Sequence, residues 1–126
     1  MQAKETVRKR EMRGVWIATV ANIDWPSQKG GSTLQQRNEL LDMLDELEKA
    51  NINTLIFQAR PSSDAFYHSM YEPWSNYLTG KQGKRPEPYF DPLQFLTEEA
   101  HKRCMDVHVW INPYRLLNND QTSGLD

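Results

Sequence analysis

Three short stretches of this chain gather residues that bind hydroxylated ligands. The first holds Asn22, Asp24 and Trp25, the second Gln58, Arg60, Asp64, Tyr67 and Trp74, and the third Asn112, Tyr114 and Arg115. Planar amides, carboxylates and guanidinium forks bond hydroxyl groups in fixed geometries, and aromatic faces cover the apolar faces of sugar rings. Each residue also has a plainer reading. Asp24 could cap a turn before Pro26, Arg60 could pair structurally with Asp64, and Asn112 could satisfy loop backbone groups. Trp25 and Trp74 could simply cover a core. The cluster therefore carries more weight than any one member.

Other chemistries lack their residues. His68, His101 and His108 have no metal-ligand spacing and fall on a loop, a helix and a strand, so no metal is expected. Gly30-Gly31 precedes a helix but lacks the frame of a phosphate-binding loop, and no G-x-S-x-G elbow occurs. No cofactor is expected.

The elements that must position these stretches follow from periodicity. Gly14–Val20 is a nearly continuous apolar, β-branched run, as in a strand buried on both faces. Ser32-Thr33-Leu34-Gln35 opens a helix as a capping box, and Leu40, Leu41, Leu44 and Leu47 share one face of it. Thr54–Ala59 reads as a second strand, ended by Arg60-Pro61. From there to Tyr89 no regular element is evident, although Phe66, Tyr67, Tyr71, Trp74 and Tyr77 argue against plain disorder. Asp91-Pro92 then caps and starts a helix with Leu93, Leu96, Ala100 and Cys104 on its apolar face. The third strand is Val107–Ile111, closed by Asn112-Pro113-Tyr114. Strand and helix alternate, which predicts a parallel sheet whose strand carboxyl ends share one rim, where ligands gather in such folds.

The chain has 126 residues, enough for one domain, with 25% charged and 10% aromatic side chains and a formal net charge of -2. No field of one sign favours nucleic acid. The basic residues Lys4, Arg8, Lys9, Arg10 and Arg13 are mixed with Glu5 and Glu11 and read as a solvated N-terminal tail. No apolar run is long enough to span a membrane, and no signal core opens the chain. The single cysteine, Cys104, makes no internal disulfide and reads as a small buried hydrophobe.

Arg13-Gly14-Val15-Trp16-Ile17 with Asn22-Ile23-Asp24-Trp25-Pro26 resembles the opening of the glycosyl hydrolase-like 10 family. Its further signatures are similar to Gln58-Ala59-Arg60-Pro61 with Asp64-Ala65-Phe66-Tyr67 and Pro73-Trp74-Ser75, and to Tyr89–Leu93, Ala100–Arg103 and Val107–Arg115. The likeness covers roughly residues 11 to 117.

It implies an α/β fold comprising the first three βα units of a (β/α)8 TIM barrel, parallel and incomplete. Residues 1–12 would be an N-terminal tail, 13–117 the truncated barrel domain and 118–126 a polar C-terminal tail. It further implies a bacterial protein, exported or held at the cell envelope, that hydrolyses O-glycosyl bonds of a cell-wall polysaccharide, with peptidoglycan glycan strands among the substrates. The residues carried over as substrate-side or site-organising are Asp24, Arg60, Asp64, Asn112, Tyr114 and Arg115. Glycoside hydrolysis needs two carboxylates, about 5–5.5 Å apart for retention or about 6.5–9.5 Å for inversion. Asp24 and Asp64 are the acidic residues at the expected mouth, and the acid–base pair is expected on later strands. The isolated chain should then be inactive. Val15, Ile17, Ile56, Val109 and Ile111 should lack barrel partners, so that it self-associates or needs the missing strands. A non-catalytic carbohydrate-binding module is the alternative, and a free-standing flavodoxin-like domain a third reading.

Overall fold

A computed structural model describes residues 11–112. The terminal basic cluster apart from Arg13, and the predicted site residues Tyr114 and Arg115, lie outside them. The elements are β1 (Gly14–Ile17), a 3-10 turn (Val20–Asn22), α1 (Thr33–Lys49), β2 (Thr54–Arg60), the short α2 (Asn76–Thr79), α3 (Pro92–Lys102) and β3 (Asp106–Ile111).

The strands are parallel, in the order β1-β2-β3. That order is the start of a barrel progression. It differs from the 2-1-3 order of a flavodoxin-like sheet. The register places Trp16 beside Ile56 and Ile56 beside His108, so these side chains share one face. Val15 with Leu55 and Val107, and Ile17 with Phe57, share the other. Arg13 sets the start of this register from outside the ladder. Its N–H donates to Asn53 Oδ1 at 2.7 Å, and its Nε to the carbonyl of Asn51.

The helices form where their sequence signals sit. Ser32 Oγ accepts the Gln35 N–H at 3.1 Å, and Asp91 Oδ1 accepts the Gln94 N–H at 3.1 Å with Pro92 in the first turn. Leu40 and Leu44 from α1 and Leu96 and Ala100 from α3 are fully buried against Ile17, Leu55 and Phe57. The expectation that Val15 and Ile17 face a barrel interior is thereby corrected. Strand parity turns them to the helices, where Ile17 is buried and Val15 half-buried. Val109 and Ile111 remain about half exposed. On the face away from the helices, Trp16 is 61% exposed and meets Trp110 edge-on at 5.4 Å.

Two local expectations also change. Cys104 is exposed, not buried, because α3 ends at Lys102 and Cys104 takes the left-handed exit with φ 60°. Met105, next along, fills the buried position. The long stretch after β2 contains α2 and packs inward through Phe66, Tyr77 and Leu78, all fully buried.

Helices α1 and α3 are tied by Arg103, which donates to Asp45 Oδ1 at 2.7 and 3.0 Å and to Glu99 Oε1 at 3.2 Å. The hydrogen bond from Lys102 holds the Glu99 carboxyl below its ordinary range, aided by Arg103 and opposed by partial burial. A depressed carboxyl pKa stabilises the folded state above the ordinary carboxylate value, and that stability is lost as pH falls through the lowered value. Glu99→Gln should therefore flatten the loss of stability between neutral pH and strong acid. Urea denaturation of both proteins across that window checks it, and equal slopes would contradict the assignment.

Candidate functional site

Because the strands are parallel, their carboxyl ends lie on one rim, and two hydrogen-bonded clusters stitch that rim together. The first joins β1 to β2. Gln58 is fully buried, and its Oε1 accepts the N–H groups of Thr19 and Val20 at 2.8 Å each. Thr19 Oγ1 returns a bond to the Gln58 carbonyl at 2.8 Å. Gln58 Nε2 is buried and has no hydrogen-bond partner among the described residues. A buried amide donor left over in this way costs stability unless something at the site accepts from it.

The second cluster joins β2 to β3. The sheet register slips between Gln58 and Arg60, and a bulge of this kind re-aims the side chain beside it. Arg60 donates from Nε and Nη2 to Glu72 Oε1 at 3.2 and 2.9 Å, and from Nη1 to the Asn112 carbonyl at 3.1 Å. Asn112 Nδ2 donates to the Pro61 carbonyl at 3.0 Å, and Asn112 Oδ1 accepts from Trp110 Nε1 at 3.0 Å. The Arg60 and Glu72 side chains retain only 15% and 23% exposure, so the pair is largely withdrawn from water. It fixes a planar cation beside a polar amide at the strand ends, an arrangement suited to sugar hydroxyls or to an anionic group on a glycan.

The predicted residues divide accordingly. Arg60 and Asn112 come together, on β2 and beyond β3. Tyr67 and Trp74 are half-buried in the loop after β2, with Trp74 packed edge-on to Tyr89 at 6.1 Å. Asn22 organises its loop, donating from Nδ2 to the carbonyls of Pro26 and Tyr77 at 2.8 and 2.9 Å. Asp24 closes the β1 loop on itself: Oδ2 accepts the Ala18 N–H at 2.8 Å, and its own N–H donates back to Ala18 at 2.9 Å. It borders the outer edge of β1 with Val15, Trp16 and Met43, away from the Arg60 cluster.

Trp25 is a correction. It is 1% exposed, packed at a tilt against Phe57 and Phe66, with Nε1 donating to the Gln36 carbonyl at 3.0 Å, so its ring is closed off from a ligand. Asp64 is also fully buried, and Gln82 Nε2 donates to its Oδ2 at 3.4 Å. It is not bonded to Arg60. Glu72 takes that place because the loop doubles back over the strand end. Glu72 escaped the sequence reading, yet the signal was present: between Arg60 and Gly80 it and Asp64 are the two acidic residues.

The glycosyl hydrolase-like 10 profile matches residues 11–123. The chain belongs to the glycosyl hydrolase-like 10 family. It is 54% identical over 110 residues to the glycosyl hydrolase YngK of Bacillus subtilis (strain 168), an alignment covering 87% of this chain and 21% of that protein. It is 44% identical over 115 residues to the glycosyl hydrolase DigH of Escherichia coli (strain K12), covering 86% of this chain and 26% of the relative. The chain thus spans about a fifth to a quarter of the length of the curated relatives it matches. Three parallel strands in an open sheet, covering so small a share of each relative, are the α/β start of a larger barrel.

Glu72→Ala should strand the Arg60 guanidinium. Removing one partner of a buried pair costs about 3–5 kcal/mol, and the remaining exposure places this pair near the lower figure, about 3 kcal/mol. Glu72→Gln, which keeps an acceptor oxygen, should cost less. Equilibrium denaturation of the two variants gives both values, and equal losses would contradict a role for the charge.

Proposed function

We propose that the full-length protein is a glycoside hydrolase acting on O-glycosyl bonds of a bacterial cell-wall polysaccharide, with peptidoglycan glycan strands as the substrate class, and that it works outside the cytoplasm at the cell envelope. Family membership supports glycosidic hydrolysis. The observation from the geometry that carries the reading is the Arg60–Glu72–Asn112 cluster, which holds a guanidinium at the carboxyl ends of two parallel strands. Arg60 and Asn112 are assigned to binding and orienting the glycan, with Tyr67 and Trp74 as neighbouring aromatic surface.

The acid and base are assigned to carboxylates outside the described residues. Asp24 borders the outer edge of β1 and is turned back on its own loop, and Asp64 is fully buried, so neither carboxylate lies open to a sugar on the Arg60 cluster. The same two facts favour a second reading, in which this segment binds carbohydrate without chemistry.

Incubating the full-length protein with peptide-free glycan strands and measuring new reducing ends separates the two. The hydrolase reading expects release, and binding without release supports the binding module. Arg60→Ala should lower release at least tenfold, since a hydrogen bond from a charged donor contributes about 1.5–3 kcal/mol. The 126-residue chain alone should release nothing and should elute above its 14.8 kDa mass, because Trp16 leaves the sheet face away from the helices open and Val109 and Ile111 leave the edge strand β3 half exposed. A monomeric chain melting in one sharp transition would contradict the need for further strands.

A further inference from the structure

The loop leaving β2 carries two large apolar side chains at its outermost point. Met70 is 88% and Tyr71 92% exposed, although the neighbouring aromatics Phe66 and Tyr77 turn fully inward. A lone exposed aromatic is ordinary. This one differs in how its backbone is held. Ser69 Oγ accepts the N–H of Tyr71 at 3.0 Å and that of Glu72 at 3.1 Å, which folds the tip into a tight turn. Glu72 is clamped by Arg60 through two bonds. On the far side, the Pro73 carbonyl accepts the Ala65 N–H at 2.8 Å, and Ala65 bridges Trp74 in parallel. The chain around Tyr71 is therefore tied to the guanidinium at the end of β2 and to the base of its own loop.

An aromatic ring ordered in water contributes little to folding. It is, however, ready to bind, since little backbone freedom remains to be lost and a tyrosine has two side-chain torsions. We propose that Tyr71, flanked by Met70, is a sugar-stacking subsite that takes the apolar face of a pyranose ring in a glycan chain whose neighbouring residue lies on the Arg60–Glu72–Asn112 cluster. The proposal deepens the hydrolase reading and rests on it. Tyr71 is the chain neighbour of Glu72, and Glu72 is bonded directly to Arg60. On this proposal a polymer engages both the cluster and the ring, and a single sugar held on the cluster does not. Tyr71 thus selects for chain length and contributes affinity that is the same before and during bond cleavage.

The test uses the full-length protein with peptide-free glycan strands of defined length. Tyr71→Ala should raise KM for long strands about tenfold, leave kcat within twofold, leave KM for the shortest cleaved fragment unchanged, and leave Tm unchanged; Tyr71→Trp should retain wild-type KM. An active wild type with an unaltered KM in Tyr71→Ala overturns the subsite while leaving the hydrolase reading intact. A Tm several degrees lower in Tyr71→Ala, with kcat falling for strands of every length, overturns it also, because the ring would then be packing against the remainder of the protein. A wild type that neither retains nor cleaves glycan strands overturns the hydrolase reading and the subsite together.

Discussion

The Arg60 guanidinium, carried on β2, ties down two other segments with three N–H groups: two go to Glu72 in the loop and one to the backbone leaving β3. Only a planar, permanently charged fork can do this. A lysine at the same position would present one flexible point charge and could not satisfy a carboxylate and a carbonyl at fixed angles. Desolvating such a cation is costly without a carboxylate partner. Glu72 is therefore constrained to be where it is, and so is the loop between the two residues. The loop has little regular secondary structure but is not loose: it is closed at Arg60–Glu72, bonded to β2 through Phe66 and Ala59, and filled beneath by Phe66, Tyr77 and Leu78.

A second constraint works at the other junction. Gln58 uses one carbonyl oxygen to satisfy two backbone N–H groups just beyond β1. The turn there runs through left-handed Ala21 and Asn22, both with φ 53°, so its amides point where no strand can meet them. A side-chain amide from the neighbouring strand supplies the acceptor that the ladder cannot. The β1 and β2 exits are thus fixed relative to one another by a buried polar residue whose Nε2 has no hydrogen-bond partner among the described residues.

Much of this was legible in the sequence and some was not, for physical reasons. The alternation of strands and helices, the Ser32 and Asp91 caps, and the parallel pairing all follow from local pattern, and each is seen in the structure. β1 was read as running to Val20 but ends at Ile17, since Thr19 and Val20 give their amides to Gln58 instead of to a strand. Cys104 departs from the helical pattern because periodicity determines helix ends least, and two residues separate a buried face from an exit turn. The type of Trp25 suits sugars, while its burial depends on Phe57 and Phe66 arriving from distant segments, which no local pattern encodes. Glu72 was passed over since Asp64 is the nearer acid in sequence, and only the doubling back of the loop brings Glu72 to Arg60.

The edge-to-face indoles of Trp16 and Trp110 belong to the two outer strands, yet their ring centres are 5.4 Å apart. Adjacent strands are separated by about 4.8 Å, so β1 and β3 run roughly 9.6 Å apart at the backbone. Side chains standing upright on a flat sheet would keep that spacing. These two lean together above Ile56, as they would if the sheet curls with this face on the inside. A curl of that kind is what the first three strands of a closed barrel require, and the two tryptophans meet over the middle strand on the face it would enclose.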